Sequence, residues 1–362
     1  MAIARALLRW YDRTKRDLPW RRDPTPYKTL VSELMLQQTT VAAVIPYFER
    51  FIRRFPTLAS LAAASEDEVT ALWSGLGYYA RARNLRRAAV AAVGEHGGEL
   101  PPTEAALGEL PGLGPYTAAA VAAIAFGART FALDGNGARV MARLGGVSDS
   151  IDLPATRLRL RAAGTREVPP GRPGDFTQAV MELGATVCTP RNPSCDDCPL
   201  GNSCAARAAG TIDELPRRTK RVARPVVRVA CACVTDGARV LLIRRGRGLL
   251  AGTWSLPEAA VGSVLAPALA SDAARDVARR VAAEVGVRAA SVEHHGAVRH
   301  VFTHRDVTAE VFRIEVARAG RARAGQRWVS PAGMRELGVS SFTRKTVALG
   351  LGSKRDNVAR RS

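Results

Sequence analysis

The stretch LPGLGPYTAAAV, residues 110–121, sets a glycine turn against the start of a helix. Gly112 and Gly114 stand where the backbone must bend sharply, and glycine adopts left-handed conformations without steric penalty. Pro115 suits the first turn of the following helix, where its missing N–H costs nothing. The free N–H groups of such a helix start can take an anion at close range. A helix, a turn and a second helix over about 108–128 are therefore expected to hold a nucleic-acid phosphate without reading a base. Read alone, the segment better describes an ordinary turn between packed helices. Asp134, in LDGNGARV (133–140) twenty residues beyond Gly114, shifts the balance toward a site.

Working outward, residues up to about 205 show apolar positions recurring at three and four, with helix starts such as Thr25-Pro26 and Thr103-Glu104. An α-helical region over 1–210 is expected. Residues 211–225 (TIDELPRRTKRVARP) are charged, contain Pro216 and Pro225, and read as a linker. From Val226 the texture becomes two-periodic and β-branched, in VVRVACACV (226–234), RVLLIRR (239–245) and HRDVTAEVFRIEV (304–316). ASDAARDVARRVAAEVG (270–286) reads as a helix between strands, so 226–350 is expected to form an α+β or α/β domain. Residues 351–362 read as a basic tail.

The formal charge is +20, from 53 Lys and Arg against 33 Asp and Glu. A chain this basic attracts polyanions, nucleic acid before anionic membrane, although charge alone identifies no ligand. No secretory signal and no membrane-length apolar run is evident, so a cytoplasmic protein without membrane contact is expected.

Cys188, Cys195, Cys198 and Cys204 follow C-x6-C-x2-C-x5-C with prolines interleaved. Four thiolates in so short a loop suit a soft metal centre, zinc, copper(I) or iron–sulfur. The spacing favours a metal without choosing between them. Cys231 and Cys233 share one face of an expected strand and read as small core residues.

Breaking a C–N bond between a base and its sugar meets two difficulties: the base leaves poorly as an anion, and the sugar becomes cationic. A protonated acid assists the first and a carboxylate the second. Glu33 is the candidate acid, with Leu30 and Leu36 three residues away on either side to desolvate it and raise its pKa. The plainer reading is a surface glutamate on an amphipathic helix. Asp134 is the candidate carboxylate, with Asn136 near enough to orient it; its plainer reading is a helix N-cap.

Together these pieces resemble the helix–hairpin–helix base-excision glycosylases with an iron–sulfur cluster, and within them the MutY family. The carrying stretches are LPWR (18–21), SELMLQQT (32–39), GLGYYARARNL (75–85), LPGLGPYTA (110–118), LDGNGARV (133–140), FTQAVMELGA (176–185) and the four cysteines, across nearly the whole chain. The resemblance implies one 4Fe-4S cluster on Cys188, Cys195, Cys198 and Cys204. It implies that the enzyme removes adenine opposite 8-oxoguanine or guanine in double-stranded DNA. Glu33 would protonate adenine at N7 and Asp134 would stabilise the sugar cation, supported by Tyr116 and Asn136. Trp20 and Arg21 would border the pocket for the extruded adenine, with Gln178 near the base. Gln38 and Tyr78 would fill the duplex beside the partner base; core packing is the plainer reading of Tyr78. In the related endonuclease III type a nucleophilic lysine stands where Tyr116 stands here, so no Schiff base is expected at that place. A monomer is expected.

GLLAGTWSLPE (248–258) resembles the start of a MutT-like, Nudix-fold domain. Nucleotide pyrophosphohydrolysis is thus a rival activity, and it needs a cluster of glutamates for divalent metal. Aligned on Glu284 to Val287, the pattern places Arg280 and Ala283 where two glutamates belong, and Leu265 and Ser271 at its upstream positions. Too few carboxylates remain, and a recognition domain is expected. By the resemblance, Phe302, Thr303 and His304 would sense 8-oxoguanine, with Thr303 keeping the hydroxyl of the family's serine and adding a methyl group; an ordinary hairpin turn is the plainer reading. A damage-sensing DNA binder without chemistry is a third reading, and the presence of both Glu33 and Asp134 argues against it.

Overall fold

The computed structural model describes residues 2–219, 223–248, 250–261, 267–289 and 291–352. Linker positions 220–222, Leu265 and tail residues 353–362 lie outside the described residues, as does the side chain of Ser271. The helices in chain order are α1 (Ala2–Thr14), α2 (Pro19–Arg22), α3 (Pro26–Leu36), α4 (Val41–Arg54), α5 (Leu58–Ala63), α6 (Glu66–Leu72), α7 (Ala80–Glu95), α8 (Glu104–Glu109), α9 (Pro115–Phe126), α10 (Gly135–Leu144), α11 (Pro154–Glu167), α12 (Pro173–Thr186) and α13 (Ala205–Ala208). There follow β1 (Val226–Thr235), β2 (Val240–Arg244), β3 (Trp254–Ser255), β4 (Glu258–Ala260), α14 (Pro267–Glu284), β5 (Glu293–Val301), β6 (Asp306–Glu315), β7 (Gln326–Val329) and α15 (Ser341–Gly350). A helical region precedes a mixed α+β domain, as the periodicities predict. Among the described residues no helix is long and apolar enough to cross a membrane.

The chain forms two compact units, Met1–Ala64 with Asn84–Arg221, and Ser65–Arg83 with Val222–Ser362. In the first, α9 is apolar all round, and Thr117 to Ala123 are buried on every side, as a central helix requires. Its hairpin is glycine-dependent at one position above all. Gly112 has φ +79°, and a Cβ there would lie 2.3 Å from the Asn84 side chain. Gly114 is the N-cap of α9, and no side chain caps that end. A second cluster joins α1, α10 and α12 through Leu7, Tyr11, Val140, Phe176 and Leu183, with Phe131 from the loop before α10.

In the second unit a seven-stranded mixed sheet runs β3-β2-β1-β6-β5, with β4 paired to β1 and β7 to β2. β1 and β6 are parallel, while β5 and β6 are antiparallel. Both faces of β1 are covered, which explains its continuous apolar run. Val229, Cys231 and Cys233 pack on the side of Phe342 and Val347 of α15. Ala230, Ala232 and Val234 pack on the side of Ala274, Val277 and Val281 of α14. Arg280 is exposed on α14. Residues 65–83 are integral to this unit: Ser74 Oγ and Tyr79 Oη donate to the Val339 carbonyl at 2.7 and 2.9 Å, and Trp254 Nε1 donates to Asp67 Oδ1 at 3.1 Å. Gly338 approaches Thr70 so closely that a Cβ would lie 2.4 Å from its hydroxyl oxygen.

Candidate active site

One cavity of about 980 Å³ in the first unit gathers Trp20, Arg21, Glu33, Gln38, Gly112, Gly114, Tyr116, Asp134, Asn136 and Gln178. These residues come from α2, α3, the hairpin, the start of α10 and α12, so the fold assembles what the sequence scatters.

Thr25 caps α3 by accepting from Lys28 N at 3.1 Å, and the helix carries Glu33 inward. Glu33 is 7% exposed, not a surface residue. Burial pushes its carboxyl up to about 7; the Tyr116 hydrogen bond pulls it down, the Asp134 charge raises it further, and Arg21 lowers it. Tyr116 Oη donates to Glu33 Oε2 at 2.7 Å. This occupies one oxygen and leaves the other to carry a proton.

Asp134 fulfils its plainer reading and still lines the cavity. It is the N-cap of α10, and its Oδ1 accepts from Gly137 N at 2.5 Å. Burial holds its pKa above the usual carboxylate value, offset by the N–H groups of Gly137 and Asn136, by Arg139 and by the Asn136 side chain. Fixed dipoles at a helix start favour the ionised form. The two carboxyls therefore differ in kind: Glu33 keeps a proton near neutrality, whereas Asp134 is supplied with donors.

Trp20 is buried edge-on against Phe48, ring centroids 5.4 Å apart. Arg21 Nε donates to Gln178 Oε1 at 3.0 Å, and its Nη2 meets Glu182 Oε2 at 2.9 Å. Glu182 is the residue that sequence reasoning missed. It is 1% exposed and also takes Arg16 Nε at 2.6 Å. Burial pushes its pKa up, but Arg16 and Arg21 outweigh this and leave it lowered. The available signal was spacing: Glu182 lies one turn beyond Gln178 on α12.

Gln38 and Tyr78 both hold left-handed backbone, with φ +56° and +49°. Such conformations cost a non-glycine residue about 1–3 kcal/mol and cluster where function over-determines the backbone. Tyr78 lies in the second unit, 38% exposed, with the Arg81 guanidinium 5.3 Å from its ring centroid. Its hydroxyl pairs with that of Thr303. Phe302 to Arg305 form the tight β5–β6 turn, closed by Phe302 N on the Arg305 carbonyl at 2.9 Å. Phe302 is anchored against His300 and Phe342, ring centroids 4.5 and 5.7 Å away, and Thr303 and His304 are exposed at the tip.

The four cysteines line one small cavity of about 30 Å³ with Val187, Pro193 and Ile212. Cys195 and Cys198 have thiol pKa values raised first by burial and then by the neighbouring sulfurs. Two arginines of α10 fasten this loop. Arg143, 1% exposed, donates to the carbonyls of Thr189 and Leu215 at 2.8 Å each and to Cys188 Sγ at 3.4 Å. Arg139 donates to the carbonyls of Cys188 and Gly184 at 2.7 and 2.6 Å and to Asn136 Oδ1 at 2.8 Å. Helix α10 thus carries Asp134 at its head and the cysteine loop on its flank.

Comparison with known proteins agrees with this division. Residues 31–163 match the HhH-GPD superfamily of base excision DNA repair proteins, residues 188–204 the iron–sulfur binding domain of endonuclease III, and residues 229–349 a NUDIX domain. The human adenine DNA glycosylase is 35% identical over 99% of this chain and 77% of its own length. That of Mycolicibacterium smegmatis is 42% identical over 60% of this chain and 74% of its own. A thermostable thymine-DNA glycosylase structure covers 57% of this chain and 95% of its own, with 29% identity and a TM-score of 0.53. With its paired carboxyls in one cavity, its thiol-lined loop and its trailing NUDIX domain, the chain belongs to the adenine DNA glycosylases, N-glycosyl hydrolases of base excision repair that carry an iron–sulfur binding segment.

Proposed function

We propose that this enzyme hydrolyses the N-glycosidic bond of adenine mispaired with 8-oxoguanine, or with guanine, in duplex DNA, as a monomer and without cutting the strand. The observation that carries the reading is Glu33: a buried carboxyl with pKa near 7, hydrogen-bonded to Tyr116, in one cavity with Asp134. Glu33 gives its proton to adenine N7, and the C1′–N9 bond breaks with its electron pair leaving on the neutral base. Asp134 stabilises the cationic sugar, held in place by α10 and Asn136. Water adds to C1′, and Glu33, now ionised, accepts the proton that the water sheds. Trp20, Arg21 and Gln178 border the base, with Glu182 holding the arginine. Gly112 and Gly114 open the hairpin to a phosphate, and Gln38 fills the duplex beside the partner base. The test is single-turnover adenine release from a duplex carrying adenine opposite 8-oxoguanine. No release by the iron-loaded enzyme would overturn the assignment.

For the cysteine loop we propose one 4Fe-4S cluster. The four thiols line one small cavity, and residues 188–204 match the iron–sulfur binding domain of endonuclease III, which supports an iron–sulfur group over zinc. When bound, such a cluster would cross-link Cys188, Cys195, Cys198 and Cys204; hydrolysis needs no electron from it.

Tyr116 stands where a nucleophilic lysine would form a Schiff base, and its hydroxyl is committed to Glu33. Borohydride treatment during turnover is expected to trap little covalent DNA complex. Trapping as strong as an endonuclease III gives would refute the monofunctional reading.

Thr303 and His304 are proposed to sense 8-oxoguanine. The hydroxyl of Thr303 is oriented by Tyr78, so its methyl group need not displace it. Replacing both with alanine should cut the preference for 8-oxoguanine over guanine about tenfold, in line with one or two lost polar contacts. An unchanged ratio of single-turnover rates on the two duplexes would remove these residues from recognition.

A further inference from the structure

Four cations line the catalytic cavity: Lys15, Arg16, Arg21 and Arg157. Arg16 and Arg21 are committed to Glu182. Lys15 Nζ lies 5.6 Å from the Tyr11 ring centroid. Arg157 has no carboxylate partner among the described residues, although its neighbours on α11 do: Arg159 pairs with Asp149, and Arg161 with Glu104. Among the described residues its side chain makes one hydrogen bond, from Nη2 to the Leu133 carbonyl at 2.9 Å. Leu133 is buried and immediately precedes Asp134. A guanidinium has five N–H donors, so four remain, half-buried at the wall of the cavity that also holds Asp134.

The group that must come next to Asp134 is the sugar of the extruded adenosine, which brings a phosphate on either side. An arginine without a carboxylate partner, in a cavity whose other two arginines hold the carboxylate of Glu182 between them, is suited to that anion. We propose that Arg157 binds a phosphate flanking the extruded adenosine while fixing the backbone that carries Asp134. It is a DNA-binding residue through its free N–H groups and a positioning residue through Leu133. This assignment rests on the glycosylase reading above.

The test is a cycle of single-turnover rates using duplexes in which each phosphate flanking the adenosine is replaced, one at a time, by neutral methylphosphonate. At one position the wild type should slow about tenfold, the scale of one charge-assisted hydrogen bond. Arg157→Gln should slow to a similar degree on unmodified DNA and lose nothing further at that position. Arg157→Lys, which keeps the charge and the cavity wall, should recover part of the loss and retain sensitivity there. Losses that multiply at every flanking phosphate, in both variants, would overturn the proposal. Wild-type turnover of the unmodified duplex tests the glycosylase reading separately.

Discussion

Glu33→Gln is expected to reduce single-turnover adenine release by at least about a thousandfold while making the protein more stable at neutral pH. Both effects have one origin. The folded-state pKa is raised from 4.5 to about 7 because the carboxyl is buried. The stability this group permits is full below the unfolded pKa and is lost as pH rises through the folded one. At pH 8 the ionised carboxylate therefore costs about 3 kcal/mol, which a neutral glutamine avoids. Chemical denaturation of both proteins at pH 5 and pH 8 checks this: the gap should open only at the higher pH. The wild-type rate should fall as pH rises past about 7, when Glu33 loses its proton, and fall again in acid, when Asp134 gains one. Because the Tyr116 hydrogen bond lowers the Glu33 pKa, Tyr116→Phe should move the alkaline limb to higher pH. A limb that stays in place would dissociate the pH profile from Glu33.

Arg143→Leu is expected to destabilise the helical unit by about 3–5 kcal/mol, the usual cost of breaking a buried charged network from one side. The change strands the carbonyls of Thr189 and Leu215 and frees Cys188. Iron content and visible cluster absorbance per protein should fall with it. A variant that keeps a full iron complement and a wild-type denaturation midpoint would show that the loop is held by the thiols alone.

How much of this was legible follows from the range of each interaction. The hairpin is encoded locally, since a left-handed turn and a close approach each demand glycine at 112. The cysteine loop is legible for the same reason: thiol chemistry within seventeen positions needs no tertiary context. Glu33 and Asp134 were visible as candidates but ambiguous, because burial decides their roles and burial is a property of packing. Asp134 shows that two readings can both hold, as the N-cap is what orients the carboxylate. Glu182 was marked only by its helical spacing from Gln178, and Arg139 and Arg143 were not marked at all. Their partners lie 166, 45 and 72 positions away, and spacing alone does not show that a residue joins a buried network. The placement of Tyr78 beside Thr303, 225 positions on, was equally beyond local reading.

The membership of residues 65–83 in the second unit has a consequence for the order of assembly. On the ribosome this segment emerges early, yet its partners Trp254 and Val339 lie 187 and 265 positions further along. The helices around α9 gather their core from chain already made, while this excursion waits with apolar Val69 and Trp73, both fully buried in the finished fold, still uncovered. Closing so long a loop is slow relative to local helix packing. Residues near Val339 therefore complete a piece of the chain made long before them, and in the interval that piece depends on protection from aggregation.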